Sequence, residues 1–275
     1  MTLDIHSDIT QGSDEWHDLR RGIVTASTVA KLLTVGPPGP ITYQCPTCNT
    51  NPGNPCISLT NKTPTPIKTM HPGRYTFADQ LAPTAAPVIQ VANTDTARAV
   101  TATLTAERIS GFTEDTPMSP DMWRGVEAEP IARDLYAQHH APVTEVGFMI
   151  EDRWGFPIGY SPDGLVGSDG LIEIKAPRAK NHMLTILSGE VPAQYMAQLQ
   201  TGLLVSGREW IDYVSYSGGM PLWVKRVYPD TAWHVAILAA VGTFETAAAD
   251  MAADFHAATA DLPATERPRP LEMMF

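Results

Sequence analysis

The chain has 275 residues, a hydrophobic fraction of 43% and a formal net charge of −11 at pH 7. This length predicts one domain, or one domain with an insertion, and the hydrophobic content allows a core of ordinary size. The acidity excludes a general nucleic-acid coat, and no stretch approaches the roughly 20 apolar residues of a membrane span. The N-terminus lacks a basic region followed by an apolar run, so we expect no secretory signal and a cytoplasmic protein.

The charges are unevenly distributed along the chain. Residues 19–78 contain no Asp or Glu, and their cations are Arg20, Arg21, Lys31, Lys62, Lys68 and Arg74. Such a segment favours a local surface for a polyanion. A chance gap in the acidic residues is the alternative interpretation.

The N-terminal part predicts two helices and then an insertion. Ser13 as cap and Gly22 as stop frame a short helix, and TASTVAKLL, residues 25–33, predicts a second. Residues 37–75 are rich in Pro, Thr, Asn and Gly and lack an apolar core of their own. We therefore predict an inserted module at 37–75, within a core formed by 1–36 and 76–260.

The remaining sequence alternates helices with strands. Helices are predicted over residues 93–111, 119–140, 191–207 and 231–258, the second of them kinked or broken near Glu129 because Pro130 follows. Strands are predicted at VGFMI, GFPIGY and LIEIK, and residues 209–229 predict a hairpin that turns at Gly218-Gly219. The fold class is α/β (α+β), with a mixed central sheet flanked by helices, and 261–275 form a loose tail.

Residues 159–175, GYSPDGLVGSDGLIEIK, hold two carboxylates near a short turn. The Asp-Gly pair predicts a tight hairpin, which puts Asp163 opposite or nearly opposite Ile174 and makes Glu173 its close cross-strand neighbour. Two carboxylates and a backbone carbonyl suit Mg²⁺, with Mn²⁺ as an alternative, and Lys175 could position or deprotonate a water. This spacing alone is weak, because an exposed charged hairpin explains a lone match.

Three further patterns carry candidate sites. Cys45, Cys48, Cys56 and His71 follow the spacing C-x₂-C-x₇-C-x₁₄-H, which predicts a structural Zn²⁺ site, with three free cysteines as the alternative. In QYMAQLQ, Tyr195 and Gln198 share one helix face, although an ordinary amphipathic helix would give the same pattern. In LRRGIVTAS, a serine at a helix start near an arginine indicates a phosphate site, or an ordinary cap.

The order of LRRGIVTAS, GVEAEPIARDLY, GYSPDGLV, LIEIKAP and QYMAQLQTGL resembles the phage lambda exonuclease family. These YqaJ-type viral recombinase nucleases belong to the PD-(D/E)xK, restriction-endonuclease-like superfamily, and the resemblance covers residues 12–33 and 119–228. It implies that the metal is held by Asp163, Glu173, the Ile174 carbonyl and Glu129. It further implies that Lys175 is the catalytic lysine, that Tyr195 and Gln198 line the site, and that Arg20 and Ser27 bind a 5′-phosphate, with Arg21 as a substitute.

The family resemblance also implies a function and partners. The expected activity is a Mg²⁺-dependent DNA exonuclease that degrades the 5′-ended strand of linear double-stranded DNA in phage-type recombination, in the host cytoplasm if phage-encoded. The expected partners are DNA ends, a single-strand annealing protein and further copies in a ring, a trimer by resemblance. The zinc module departs from the simplest members, and we expect it to contact DNA or a partner protein through Lys62, Lys68 and Arg74. The alternatives are an endonuclease or flap nuclease on the same fold, or a catalytically silent zinc-containing DNA-binding or adaptor protein.

Overall fold

The computed structural model describes residues 3–60, 62–114 and 117–266. Its helices are α1 Asp14–Arg20, α2 Pro72–Leu81, α3 Asp95–Ser110, α4 Pro120–His139, α5 Ala179–Ser188, α6 Ala193–Ser206 and α7 Thr231–Thr259. Its strands are β1 Asp4–His6, β2 Val24–Thr25, β3 Leu33–Gly36, β4 Val88–Val91, β5 Phe148–Glu151, β6 Ile158–Tyr160, β7 Gly164–Val166, β8 Gly170–Lys175, β9 Trp210–Ser215 and β10 Trp223–Val227. Residues 267–275 of the predicted tail lie outside the described residues.

Eight of the described strands form two mixed four-stranded sheets. One has the order β1-β5-β6-β2, in which β2 runs parallel to β6, and the other has the order β10-β9-β8-β7, in which β8 runs parallel to β9. Strands β3 and β4 form a separate antiparallel pair. The predicted mixed α/β class is therefore confirmed, with the strands divided between two sheets.

Strand β8 separates two apolar clusters because its side chains alternate between faces. Leu171 lies in the larger cluster with residues of α6 and α7, whereas Ile172 and Ile174 pack with Tyr136 of α4. Glu173 shares the face of Leu171. The alternation predicted for LIEIK thus directs the glutamate toward α6.

The helix predicted over residues 25–33 is wrong. Thr25 ends β2, the segment from Val29 to Leu32 forms a single 3₁₀ turn, and Leu33 begins β3. Tertiary burial decides this conformation, because Val24, Val29 and Leu32 are all in the core. The Thr28 hydroxyl also closes the turn locally, by accepting from the Thr25 N–H at 2.9 Å and donating to the Thr25 carbonyl at 3.0 Å.

The structure contradicts a break near Glu129, since α4 continues without interruption from Pro120 to His139. Pro130 is exposed, while Ala128, Ala132 and Tyr136 form the buried face. Packing of that face against β8 holds the helical turns on both sides of the proline. The missing N–H of Pro130 therefore costs one hydrogen bond on the solvent side without ending the helix.

Helix α7 corrects the expectation about membrane spans. By length and composition it could cross a membrane, with a mean hydropathy of 1.4 over its most apolar 18 residues. Six of its side chains are nevertheless buried, including Ile237, Val241 and Phe244, and they belong to the main core cluster. Arg108 of α3 also forms two hydrogen bonds of 2.7 Å with Glu245. One face of α7 is therefore packed into the core.

The zinc-candidate segment projects from the β3–β4 pair. Gly36 and Val88 are partners in that pair, so the chain leaves and returns at neighbouring positions. Helix α2 begins at Pro72 and contacts the turn at residues 40–42, so a boundary at residue 75 would cut an element of the insertion. We therefore propose that the inserted module extends from residue 37 to residue 87.

Candidate active site

A single cleft of about 720 Å³ brings together motifs that are far apart in the sequence. Its lining includes nine predicted site residues: Arg20, Ser27, Glu129, Asp163, Glu173, Ile174, Lys175, Tyr195 and Gln198. They come from α1, the turn after β2, α4, the β7–β8 hairpin and α6. Arg21 does not line the cleft, and its guanidinium is paired with Asp18.

The β7–β8 hairpin sets the carboxylate positions. Gly164 pairs with Ile172 and Val166 with Gly170, so the register places Asp163 opposite Glu173, one residue from the predicted position. The difference arises because three residues form the loop between the strands. Asp163 still contacts the predicted partner, since its Oδ2 accepts the Ile174 N–H at 2.6 Å.

The Ile174 carbonyl faces the same edge of β8 as Asp163. Along a strand, the N–H and C=O of one residue point to the same side, and successive residues alternate. The Ile174 N–H points to Asp163, whereas the Lys175 carbonyl accepts from Tyr216 N at 2.9 Å, on the β9 side. The Ile174 oxygen is therefore directed toward the aspartate, as the metal hypothesis requires.

Glu173 is 1% exposed, and three side chains surround its carboxylate. Lys175 Nζ and Gln198 Nε2 lie 2.6 and 2.5 Å from Oε1, and the Tyr160 hydroxyl lies 3.4 Å from Oε2. Burial alone would lower the pKa of Lys175, but the charges of Glu173 and Asp163 outweigh it and raise that pKa. Lys175 is thus an ammonium that can donate hydrogen bonds and offset negative charge.

Glu129 lies at the cleft, where its carboxylate pairs with Arg133. The same guanidinium donates from Nε to the Asp163 carbonyl at 2.8 Å and lies 2.7 Å from Glu145. Burial raises the pKa of Glu129 and outweighs the opposing charge of Arg133. Arg133 therefore connects α4 to the backbone of the residue that begins the hairpin.

The carboxylates of this cleft fit a divalent cation. Burial, together with the charge of Glu173, raises the pKa of Asp163 well above its ordinary value, which is the signature of negative charges without a compensating cation. Mg²⁺ needs only one or two carboxylates, because it keeps several waters. Asp163, Glu173 and the Ile174 carbonyl supply that set. Arg133 holds the Glu129 carboxylate away from this set. Glu129 would therefore contact the metal through a water molecule or after a rotation of its side chain.

A second group of cleft residues suits an anion. Arg20 Nη2 donates to Ser27 Oγ at 3.2 Å, and the Thr25 and Ser27 hydroxyl oxygens are 3.0 Å apart. Burial lowers the pKa of Arg20 to about 10, so the side chain stays cationic at neutral pH. Ser27 occupies the turn after β2, and the helix N-terminus predicted there is absent from the described residues.

Sequence reasoning missed two members of this region. The Trp16 ring lies 3.9 Å from the Arg20 guanidinium carbon, and its indole N–H donates to Ser161 Oγ at 2.9 Å. Both residues line the cleft. The four-residue spacing of Trp16 and Arg20 on a helix is a signal that could have identified the pair.

The Cys₃His set converges as predicted. One ligand atom each from Cys45, Cys48, Cys56 and His71 lies within 4.8 Å of the others, and the described residues hold no second such group of His, Cys, Asp or Glu. Asn49 closes the turn after Cys45 with a φ of 56° and a 2.8 Å hydrogen bond to the Cys45 carbonyl. This arrangement fits a tetrahedral zinc ion.

The prediction that Arg74 belongs to a DNA-contacting surface of the zinc module is wrong, because this side chain is buried. It is 0% exposed and donates to the carbonyls of Tyr43 at 2.9 Å and Asn54 at 2.7 Å, and to Cys56 Sγ at 3.6 Å. Within the described part of the chain, no carboxylate pairs with it. Three thiolates, a neutral histidine and Zn²⁺ carry a net charge of about −1, which the buried guanidinium would balance. Arg74 is therefore part of the zinc centre.

Two family models match parts of the chain. Residues 82–209 match the family model described as "YqaJ-like viral recombinase domain", and residues 14–91 match "Putative DNA-binding phage zinc finger domain". Residues 82–209 are therefore similar to a YqaJ-like viral recombinase domain. No curated protein sequence matches the chain significantly.

Solved structures extend the match beyond the recombinase domain. The alkaline exonuclease LHK-Exo from Laribacter hongkongensis is 27% identical, with a TM-score of 0.64, over 91% of this chain and 100% of that one. The structure of LHK-Exo in complex with dAMP has the same identity and coverage and a TM-score of 0.63. These matches confirm the predicted resemblance and the predicted enzyme class, a nuclease of the phage exonuclease type.

Proposed function

We propose that the protein is a Mg²⁺-dependent exonuclease that degrades the 5′-ended strand of linear double-stranded DNA. The observation that carries this proposal is the shared cleft, in which the Arg20–Ser27 pair and the Asp163–Glu173 carboxylates face one substrate space. A terminal 5′-phosphate bound by Arg20 would set the strand end relative to the carboxylates. A 3′-hydroxyl end offers no such anion.

The residues of the cleft divide the chemical work. Asp163, Glu173 and the Ile174 carbonyl would hold the metal, with Glu129 nearby. A bound Mg²⁺ ion would lower the pKa of a water and offset phosphate charge, and Mn²⁺ could replace it. The Lys175 ammonium, which Tyr195 faces at 5.6 Å, would stabilise the negative charge that develops on the scissile phosphate. Gln198 would keep Glu173 in place through their 2.5 Å hydrogen bond.

A strand-resolved digestion assay tests this function. Linear duplexes with a 5′-phosphate or a 5′-hydroxyl would be compared with closed circles in Mg²⁺ and in Mn²⁺, with Glu173→Ala as the inactive control. We expect loss of the 5′-ended strand, faster with the phosphate and absent on circles. Arg20→Met should remove the preference for phosphate. Cutting of circles would instead make the enzyme an endonuclease, and no cutting in either metal would favour the silent adaptor.

We further propose that the zinc module binds DNA through its exposed cations. The match to a phage zinc finger model and the lack of acidic residues between 37 and 75 support this role. With Arg74 buried, Lys62 and Lys68 are the candidate contacts. Lys62→Gln with Lys68→Gln should weaken DNA binding and reduce its salt dependence by about one unit of slope per lost contact, with turnover of bound DNA unchanged. Unchanged affinity would refute the contact.

We also propose, from the family resemblance, that copies of this chain assemble and act with a second protein. A homo-oligomeric ring, a trimer by that resemblance, would make end-dependence geometric, and a single-strand annealing protein would take the remaining strand. Activity on phage DNA would place the protein in the host cytoplasm. Light scattering of the purified protein with and without DNA would test the trimer directly, and a monomeric mass at working concentration would reject it.

A further inference from the structure

Trp16 touches both functional parts of the cleft. Its ring lies 3.9 Å from the guanidinium carbon of Arg20, and its indole nitrogen lies 2.9 Å from Ser161 Oγ. Ser161 is two residues before Asp163 in the chain. Trp16 therefore connects Arg20, a proposed phosphate-binding residue, to the segment that carries Asp163, a proposed metal ligand.

The helical spacing explains the stacking on Arg20. Trp16 and Arg20 are four residues apart on α1, where side chains lie one above the other. The helix start is fixed because Ser13 accepts a hydrogen bond from the Trp16 backbone N–H at 3.3 Å. The indole ring thus supports one face of the guanidinium.

Stacking leaves the edge of Arg20 available to an anion. No carboxylate among the described residues lies within 4.0 Å of Arg20, and its side-chain hydrogen bond goes to the neutral Ser27. A carboxylate partner would hold the guanidinium equally well but would compete with a phosphate. An aromatic ring orients the cation without that competition. The charge of Glu107 acts on Arg20, but the Glu107 carboxylate accepts the Gly22 N–H at 2.8 Å and forms no ion pair with the guanidinium.

The indole hydrogen bond fixes α1 to the other side of the cleft. A second contact supports it, since Gln11 Nε2 donates to the Pro162 carbonyl at 3.2 Å. Residues 161 and 162 therefore both receive hydrogen bonds from the N-terminal segment. The separation between Arg20 and Asp163 depends on these contacts.

We propose that Trp16 is a positioning residue that sets the distance between the terminal-phosphate group and the metal-binding carboxylates, and so makes cleavage selective for 5′-phosphorylated ends. The inference rests on the proposed exonuclease function. The two contacts of Trp16 have separate roles: the ring orients Arg20, and the indole N–H holds the Ser161 segment.

Two substitutions separate these roles. Trp16→Phe keeps a ring for Arg20 and loses the N–H, whereas Trp16→Leu loses both. Trp154→Leu is the matched control, because Trp154 also stacks on an arginine, at 5.2 Å, and does not line the cleft. Thermal unfolding and DNA binding of each variant would confirm that it is folded.

Steady-state kinetics on duplexes with 5′-phosphate or 5′-hydroxyl ends would measure the effect. For Trp16→Leu, which loses both contacts, we expect kcat to fall on both ends and, in addition, the kcat/KM preference for phosphate to fall about 3- to 30-fold, through KM for phosphorylated ends. Trp16→Phe should keep most of that preference and lower kcat on both ends. Trp154→Leu should resemble the wild type.

Other outcomes would overturn the proposal. An unchanged preference in Trp16→Leu would show that the ring does not orient Arg20. An equal loss on both ends in that variant would indicate a base contact or a purely structural role. If the wild type cut DNA without preferring 5′-phosphorylated ends, the proposed phosphate-binding role of Arg20 and Ser27 would be refuted. A wild type inactive on all ends would refute the exonuclease function.

Discussion

Arg74 and Glu173 are charged side chains with almost no access to water, and their partners explain how each is retained. Arg74 is surrounded by backbone carbonyls and a cysteine sulfur, whereas Glu173 is surrounded by a lysine, a glutamine and a tyrosine. Burying a charge is costly unless its partners are in place. Substitution at either position should therefore affect a whole site.

Arg74→Met should destabilise the zinc module. The change leaves several carbonyls and a thiolate without a donor, and each buried unsatisfied group costs about 1–3 kcal/mol. We expect faster zinc loss to a competing chelator and a lower unfolding temperature of the module. Lys62→Met, an exposed cation of the same segment, is the matched control and should retain zinc. Equal zinc retention in both variants would contradict the role of Arg74.

Asp163→Asn should stabilise the protein in the absence of metal while abolishing activity. The raised pKa of Asp163 means that the native carboxyl keeps a proton that the unfolded chain releases. Its favourable effect on stability is full below the ordinary pKa of 3.8 and is lost as pH rises toward the native pKa. Asparagine does not ionise and can still accept the Ile174 N–H.

Thermal unfolding at pH 7.5 in a chelator is the measurement for Asp163→Asn. The variant should unfold about 2–4 °C higher for each kcal/mol gained, and the gap should narrow toward pH 4. Added Mg²⁺ should raise the unfolding temperature of the wild type more than that of the variant. A variant that melts lower at pH 7.5 would argue against strain among the carboxylates.

Among the secondary-structure elements, helix α6 supports the site by packing against β6. It crosses β6 through Gly202, where an added Cβ would lie 2.7 Å from Tyr160 Cζ. The same tyrosine reaches Glu173 through its hydroxyl, at 3.4 Å. The close approach of α6 to β6 therefore determines where the Tyr160 ring sits beside the carboxylate.

Gly202→Ala should lower both stability and activity. The methyl group displaces Tyr160, and overpacking typically costs about 1–3 kcal/mol. Gly242→Ala in α7 is the matched control, because its nearest neighbour is Phe156 Cε1 at 3.6 Å and alanine favours a helix by about 0.5–1 kcal/mol. Chemical denaturation and turnover of both variants would check this. Equal stability of the two variants would refute the tight contact.

The elements also show what the sequence could predict. Helices α3, α6 and α7 and the β9–β10 hairpin are as predicted, because a cap and a glycine stop frame α3, Gly207 ends α6, α7 is a long alanine-rich run, and Gly218-Gly219 marks the turn of the hairpin. The helix predicted over residues 25–33 was wrong because tertiary burial outweighs the helical pattern there. Helix α5 was missed, and it contains a fully buried His182 that bonds Ser215 Oγ at 2.7 Å. Local patterns do not reveal a polar residue that becomes a core residue.

For the molecule as a whole, the cleft is formed by contacts between distant segments. Motif order was enough to group Arg20, Glu129, Asp163 and Glu173, which the fold brings together. It could not show that Arg133 holds Glu129 or that Trp16 supports Arg20. Those contacts depend on side-chain directions that appear only when α1, α4 and the hairpin are packed.

Loss of zinc should unfold the module and leave the rest of the chain folded. The ligands supply much of the buried interior of residues 37–87, whereas the residues of the main apolar cluster all lie outside that range, with Leu33 and Ile89 of the β3–β4 pair the nearest to it in sequence. Metal binding provides the folding free energy of such small modules. Limited proteolysis of Cys56→Ser should cut within 37–87 and leave flanking fragments intact. General degradation would contradict an independent module.

The cross-strand pairing of Gly36 with Val88 has a consequence for how this chain could have arisen. Entry and exit points that already sit side by side let a segment be gained or lost in one genetic event without moving the flanking elements. A short turn could close the same two strands. Relatives that lack the zinc segment could therefore share the rest of the architecture, and this hairpin is the natural place to graft a different DNA-contacting unit.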